Sequence, residues 1–363
     1  LVDWGDAPPH MDIFGRSEEL SWLNEKSAEG VKIFCLVGTG GIGKSTLARN
    51  WADVFVDESD AVIWISFKNR PDPLEVFRKI CQLLVPEYTL HAKSVFGHID
   101  DLIGLLTYKK AIIVFDNMES IMKSGDETGE FIDGFSPIER FLNRFADITT
   151  QSTVLLTTRE LPNCVESLAN SHSTICRFYN LPGLDKEAVK QIVAFHRLTW
   201  KSEENLEKFS EHHGGSPYAI TLASSTVLSD YGGVIDKYVE SAGKLPSKLI
   251  KLLDTQIIRL SDLQKTILYL LAVERVPVSL QVILDSLMHS YFEDEIKDAL
   301  SQLRHRSLLE PVNENGCYYI QNVLCDYATD QICKEMTNCI INVIKTKQMS
   351  SKDLLLRDLH LIT

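Results

Sequence analysis

Residues Gly38-Thr39-Gly40-Gly41-Ile42-Gly43-Lys44-Ser45 fit the pattern G-x-x-x-x-G-K-[ST]. The chemistry this spacing supports is the cradling of a polyphosphate. Glycines let backbone N–H groups curl round the phosphate oxygens, and the following helix N-terminus adds partial positive charge. Lys44 would reach the β- and γ-phosphates, and the Ser45 hydroxyl would hold Mg²⁺. Thr46 opens the helix behind them, so Gly38, Gly40, Gly41, Ile42, Gly43, Lys44, Ser45 and Thr46 form the candidate nucleotide-binding set. The four fixed positions recur by chance in roughly one chain in a hundred of this length, so the flanking elements decide. Upstream, Val31-Lys32-Ile33-Phe34-Cys35-Leu36-Val37 reads as a buried strand, and downstream Thr46 to Ala52 has helical spacing.

A second acidic position follows from the same logic. Asp116 directly follows the apolar run Ala111-Ile112-Ile113-Val114-Phe115, where a carboxylate can hold the Mg²⁺ shell through water. The next residue is Asn117, not the Glu that would polarise an attacking water, which predicts slow hydrolysis. Glu119 could partly substitute for that Glu, though it reads first as a solvated residue at a helix start, favoured there by the helix dipole. Arg159 follows Thr157-Thr158 at the end of another apolar run, where a guanidinium could contact a γ-phosphate. Lys44, Asp116 and Arg159 are therefore the candidate catalytic residues, with Ser45 and Asp116 the candidate Mg²⁺ ligands.

The elements that must position these residues follow from the hydrophobic pattern. Strand-like runs at Ala61–Phe67, Ala111–Phe115, Thr153–Thr158 and, more weakly, Ile175–Phe178 alternate with helical stretches such as Pro73–Leu84 and Pro137–Phe145. Near-continuously apolar strands alternating with helices indicate a parallel sheet covered on both faces. The fold class expected is thus an α/β P-loop domain followed by a helical domain and a winged-helix domain. The expected boundaries are a leader over 1–11, the nucleotide-binding domain over 12–180, a helical domain over 181–245, a winged helix over 246–323 and a helical tail over 324–363. Helices are expected at 185–197, 203–212 and 217–228, then at 261–272, 280–288 and 293–304. A hairpin of Leu308–Val312 with Cys317–Ile320 would complete the winged helix. The Gly-, Ser- and acid-rich stretch from about 120 to 133 reads as a mobile surface loop.

The 363 residues exceed what one core usually serves. A composition of 44% hydrophobic and 24% charged residues is that of an ordinary globular protein, and no apolar run approaches a membrane span. A net charge of −13 argues against nucleic-acid binding by this segment, since that affinity rests on Lys and Arg neutralising phosphates. The eight cysteines form neither C-x-x-C pairs nor zinc-like clusters, which predicts reduced thiols and a cytoplasmic location. The first residue is Leu, with no signal-peptide pattern behind it, so a fragment of a longer protein is expected.

Several motifs in order resemble one family. Phe14-Gly15-Arg16-Ser17-Glu18-Glu19-Leu20 resembles the h-h-G-R-E-x-E start of NB-ARC and related STAND ATPases. Gly38–Ser45 is similar to their Walker A motif, Val114-Phe115-Asp116-Asn117 to their Walker B, and Leu155–Arg159 to their sensor 1. Leu181-Pro182-Gly183-Leu184 resembles the start of their first helical domain, and Gly215-Ser216-Pro217-Tyr218-Ala219 their G-x-P motif. The family includes plant disease-resistance proteins, the apoptotic protease-activating factor and many bacterial signalling proteins. The resemblance implies an ADP/ATP switch: ADP clamps a closed monomer, and ATP with Mg²⁺ favours an open form that self-associates and brings effector domains together. It also implies Phe14 and Arg16 against the adenine, with Pro217 packed on it from the helical domain. Effector and sensor domains would lie outside this sequence, and the features lean bacterial.

One motif departs from the pattern. The M-H-D triplet of the family's winged helix aligns with Ile320-Gln321-Asn322, so Gln321 stands where a His would hold the ADP β-phosphate. A neutral amide can donate a hydrogen bond but carries no charge, which predicts a weaker ADP latch. Two alternatives stay open. An AAA+-type remodelling ATPase of the origin-recognition kind also ends in a winged helix. A STAND-type transcription regulator would read DNA with the helix at 293–306, whose basic residues are balanced by acidic ones.

Overall fold

The computed structural model describes residues 1–87, 94–125, 129–241, 245–309 and 316–346. The chain divides into two units, one of Leu1–Lys123 with Glu127–Pro182 and one of Ser124–Asp126 with Gly183–Thr363.

The first unit runs β1 (Val2–Asp3), α1 (Ser17–Ala28), β2 (Ile33–Val37), α2 (Lys44–Val54), β3 (Ala61–Ser66), α3 (Pro73–Leu84), α4 (Val95–Leu106), β4 (Ala111–Asp116), α5 (Ser136–Asp147), β5 (Thr153–Thr158), α6 (Asn163–Ser171) and β6 (Cys176–Asn180). A short 3-10 turn, Met118–Ile121, follows β4. The six strands form one parallel sheet in the order β1-β3-β4-β5-β2-β6. Strand periodicity sorts the side chains between two cores. Ile33, Cys35, Val37, Ala111, Ile113 and Phe115 pack with α3–α6 on one face. Phe34, Leu36, Ile112 and Val114 pack with Leu47, Ala48 and Trp51 of α2 on the other. Burial on both faces is why these strands read as unbroken apolar runs.

Local signals account for the helices. In α3, Asp72 caps the N-terminus by accepting from the Leu74 amide at 3.0 Å, and Pro73 takes the first helical position. Its Val76, Phe77, Ile80, Cys81 and Leu84 lie on the core face. Two parts of the first unit differ from the sequence expectation. Val2 and Asp3, expected in an extended leader ahead of the domain, pair with Val62 and Ile63 as the sheet's edge strand. The stretch after residue 120, expected as a mobile loop, is closed by an antiparallel bridge between Met122 and Phe131, with Ile121 and Met122 buried; 126–128 lie outside the described residues.

The second unit is mainly helical: α7 (Lys186–Phe195), α8 (Glu203–His212), α9 (Pro217–Asp230), α10 (Ile235–Glu240), α11 (Ser247–Ile257), α12 (Asp262–Glu274), β7 (Val278–Ser279), α13 (Leu280–Leu287), α14 (Glu293–His305), β8 (Cys317–Tyr318) and α15 (Asn322–Thr346). Ser261 and Gln264 form a capping box at the start of α12. The buried Ile267, Leu268 and Leu271 of that helix share a core with Leu300 and Leu303 of α14 and Leu324 and Ala328 of α15. The expected hairpin of 308–312 with 317–320 lies in part outside the described residues, and its second arm, Cys317–Tyr318, has a partner elsewhere in the unit. These residues lie antiparallel to Val278–Ser279, immediately before α13. Residues 310–315, the end of the hairpin's first arm and most of its turn, lie outside the described residues, as do 347–363 of the expected tail.

Candidate functional site

The glycine loop joins β2 to α2, at the carboxyl end of the sheet. β2 is flanked by β5 on one side and β6 on the other, so the strand order reverses about it, the position where open α/β sheets bind ligands. Gly41 (φ 85°) and Gly43 (φ 103°) take backbone angles that cost a side-chain-bearing residue about 1–2 kcal/mol, which is why the loop needs glycine there. Gly43 caps α2 with no side-chain acceptor of its own. The amides of Lys44, Ser45 and Thr46 open that helix, where backbone N–H groups have no carbonyl a turn behind them.

Lys44 is buried, and its ammonium donates to the carbonyl oxygens of Gly38 (2.7 Å) and Thr39 (3.0 Å). Burial pulls its pKa down to about 8; the Glu119 carboxylate opposes that shift, followed by Asp116, while Arg159 adds to it. Asp116 ends β4, two strands away from the loop strand, with β5 between them. Its Oδ1 accepts from Ser45 Oγ at 2.6 Å and also from the Thr157 hydroxyl of β5. Burial pushes the Asp116 pKa up, and those two hydroxyl donors hold it down in part. Its Oδ2 accepts from the Asn117 side-chain amide at 2.6 Å. A cation and a carboxylate, each held away from water without each other as direct partner, suit an external anion and an external cation respectively. The hard oxygens of Ser45 and Asp116 are the donor set that Mg²⁺ takes, and the loop amides with Lys44 are the donor set that phosphate takes.

Arg159, just beyond β5, pairs its Nε with Glu119 Oε1 at 3.0 Å. Its backbone N–H also donates to Glu119 Oε2 at 3.3 Å. Glu119 is only 8% exposed, so its reading as a solvated helix-start residue is overturned. The cause is Asn117, whose left-handed backbone (φ 61°) turns the chain inward into the 3-10 turn. An Asn after an apolar strand is a signal for such a turn, since Asn tolerates this region.

Arg16 is buried, and its guanidinium spans three partners: Glu19 Oε1 (2.7 Å), the Ile42 carbonyl in the glycine loop (3.0 Å) and the Pro182 carbonyl (2.8 Å). Sequence reasoning found the residue but not this bracing of the loop. Phe14 is half-buried two residues ahead of it. Pro217 and Gln321 belong to the second unit. There Pro217 is the first residue of α9, behind the Ser216 cap, and the Gln321 side chain lies so close over Gly214 that a Cβ on that glycine would sit 2.9 Å from Gln321 Oε1. The structure thus brings Gln321 against the glycines that lead into Pro217.

A parallel sheet with a glycine loop at the switch point, a loop lysine and serine, and a strand-end aspartate bonded to that serine define a P-loop nucleotide-binding domain. Residues 18–191 match the NB-ARC domain. An uncharacterised WD repeat-containing protein of Nostoc sp. (strain PCC 7120) is 28% identical over a region covering 92% of this chain. This chain spans only 28% of that relative's length. Among solved structures, the Aeropyrum pernix ORC2 protein in its ADPNP–ADP complexes shares the fold with a TM-score of 0.52 at 14% identity, covering 92% of this chain and 98% of that one. Cdc6p from Pyrobaculum aerophilum aligns at a TM-score of 0.45 and 13% identity over 92% of this chain and 97% of that one, too low to carry an argument. Among the described residues no helix is long and apolar enough to cross a membrane.

Proposed function

We propose that this chain is the switch core of a STAND-class regulatory ATPase, in which ADP favours a closed monomer and ATP with Mg²⁺ an open form that self-associates. The observation that carries the reading is the convergence of Lys44, Ser45, Asp116, Thr157 and Arg159 at one end of the sheet. Ser45 and Asp116 would hold Mg²⁺, whose chemistry there is to offset charge on the phosphate oxygens. The loop amides and Lys44 would bind the phosphates, and Arg159 would sense the terminal one. Phe14 is the proposed base contact, with Arg16 behind the loop, and Pro217 and Gln321 the contacts from the second unit. A nucleotide shifts such an equilibrium only by its differential affinity for the two forms. The activating and output segments, in this reading, belong to sequence outside this chain, as the much longer Nostoc relative suggests, and the second unit's last helices correspond to a winged helix.

The fold likeness to the ORC2 protein favours a second reading, a remodelling ATPase associated with DNA. Asn117 beside Asp116 and the net charge of −13 weigh against it. Denaturing the purified protein and resolving the released nucleotide by anion exchange tests both. Stoichiometric, slowly exchanging ADP supports the switch; an empty site with rapid turnover of added ATP moves the remodelling ATPase ahead.

A further inference from the structure

We propose that Glu119, two residues beyond the position where an ATPase strand usually carries its second acid, accepts the proton of the attacking water, and that Arg159 holds it in reserve. This rests on the reading of the site as an ATPase. Four observations carry it. Asn117 cannot act as a base, and its groups are committed: its side-chain amide to Asp116 Oδ2 at 2.6 Å, its backbone N–H to Thr157 Oγ1 at 3.2 Å. Its left-handed backbone carries the chain inward, so that the next carboxylate along is buried at the site rather than in solvent. Glu119 is anchored through both oxygens to Arg159, and Asp116 to Thr157, so the two carboxylates hang from the same end of β5. Finally, Asp116 Oδ1 also accepts from Ser45 Oγ at 2.6 Å, so this end of β5 faces the phosphate loop.

The step balances without any further reactant. The water oxygen forms a bond to the γ-phosphorus, and the bond from that phosphorus to the bridging oxygen breaks, its electron pair staying on the β-phosphate of ADP. The water's proton passes to a Glu119 oxygen. While Arg159 holds Glu119 through both oxygens, the carboxylate is turned to the arginine rather than offered to a water. A γ-phosphate offers the guanidinium a competing bidentate acceptor, and its capture frees Glu119. Hydrolysis is then slow for a stated reason: the base is released only through the group that reads the substrate.

The experiment compares wild type, Glu119→Gln and Glu119→Asp in single-turnover ATP hydrolysis, with binding of fluorescent mant-ATP and mant-ADP and thermal unfolding measured alongside. Glu119→Gln keeps shape and hydrogen-bonding capacity but not basicity. It should bind both nucleotides within about threefold of wild type and hydrolyse at least about 100-fold more slowly, the usual contribution of a positioned base. The fall in wild-type rate on the acid side should flatten in Glu119→Gln, which a merely structural residue would not cause. Glu119→Asp, shorter but still basic, should keep measurable turnover with an acid limb. Hydrolysis by Glu119→Gln within about threefold of wild type, or bound ATP that wild type never turns over, overturns the proposal and leaves nucleotide binding intact. Parallel loss of binding and of unfolding temperature in both variants also overturns it, in favour of a structural ion pair. Failure of wild type itself to bind either nucleotide refutes the underlying reading instead.

Discussion

Replacing Lys44 by Met should stabilise the protein when nucleotide and Mg²⁺ have been stripped away. Burial lowers the Lys44 pKa from an ordinary 10.5 to about 8, so holding the ammonium in the fold at neutral pH costs about 3 kcal/mol, at about 1.4 kcal/mol per pKa unit. Met fills similar space without the charge, but it leaves the Gly38 and Thr39 carbonyls without the ammonium's hydrogen bonds, which recovers part of that gain. A net gain of about 1–2 kcal/mol is expected, or roughly 2–8 °C in the unfolding midpoint of a unit this size. The pH dependence fixes the origin. The folded pKa lies below the unfolded one, so below about pH 8 both states are protonated and the cost is fully present. Between about 8 and 10.5 the folded state releases its proton first and wild-type stability rises. The advantage of Lys44→Met should therefore shrink across that window. Differential scanning calorimetry from pH 7 to 10.5 measures it. A Lys44→Met protein less stable than wild type at pH 7, or a difference that does not change with pH, would refute the argument that the lysine is held at a cost its phosphate ligand repays.

Asp116→Asn should weaken nucleotide binding about 10–100-fold in Mg²⁺ and leave binding in EDTA nearly unchanged; calorimetric titration under both conditions separates a metal role from a packing one. Arg16→Ala strands the buried Glu19 carboxylate and removes the donors to the Ile42 and Pro182 carbonyls. It should cost about 3–5 kcal/mol in denaturant unfolding, where a loss below 1 kcal/mol would mean solvent reaches the site. His213, buried in the second unit with its ring nitrogens on the Phe209 carbonyl and the Tyr238 hydroxyl, has its pKa pushed down to about 3 by burial. Its neutral form is secure above the unfolded value near 6.5, and stability should fall by up to about 1.4 kcal/mol per pH unit as the pH drops from there toward 3. A His213→Phe protein should show a shallower acid slope in the same titration, and an unchanged slope would assign the effect to other groups.

The sheet and the phosphate loop could be read from the sequence because their causes are local. Strands buried on two faces must be apolar throughout, and Asp72 with Pro73 marks where α3 starts. Helices α4, α6, α10 and α11 went unread for physical reasons as well. In α4 the helical period is present at Ile99, Leu102, Ile103 and Leu106, but two glycines and the Asp100–Asp101 pair within VFGHIDDLIGLL lower its propensity. Strand β1 is two residues long, too short for any period, and exists because Val62 and Ile63 offer it an edge. The site's residues were found by motif, yet their mutual contacts were not. Thr157 reaching Asp116, or Arg16 reaching Ile42 and Pro182, joins positions 26 to 166 residues apart, and only the folded sheet supplies that information. Glu119 was misjudged because its burial depends on a single backbone angle at Asn117.

The three-way grip of Arg16 has a mechanical meaning. One rigid planar guanidinium holds the phosphate loop by Ile42 and the last residue of the first unit, Pro182, so loop and exit strand are tied to a single strut rather than to separate springs. Any ligand that displaces the Ile42 carbonyl alters the hold on Pro182. By thermodynamic reciprocity, a pull on the chain beyond Pro182 changes the affinity of the loop for whatever it holds. Tension applied at that point would act on the same guanidinium that braces the loop.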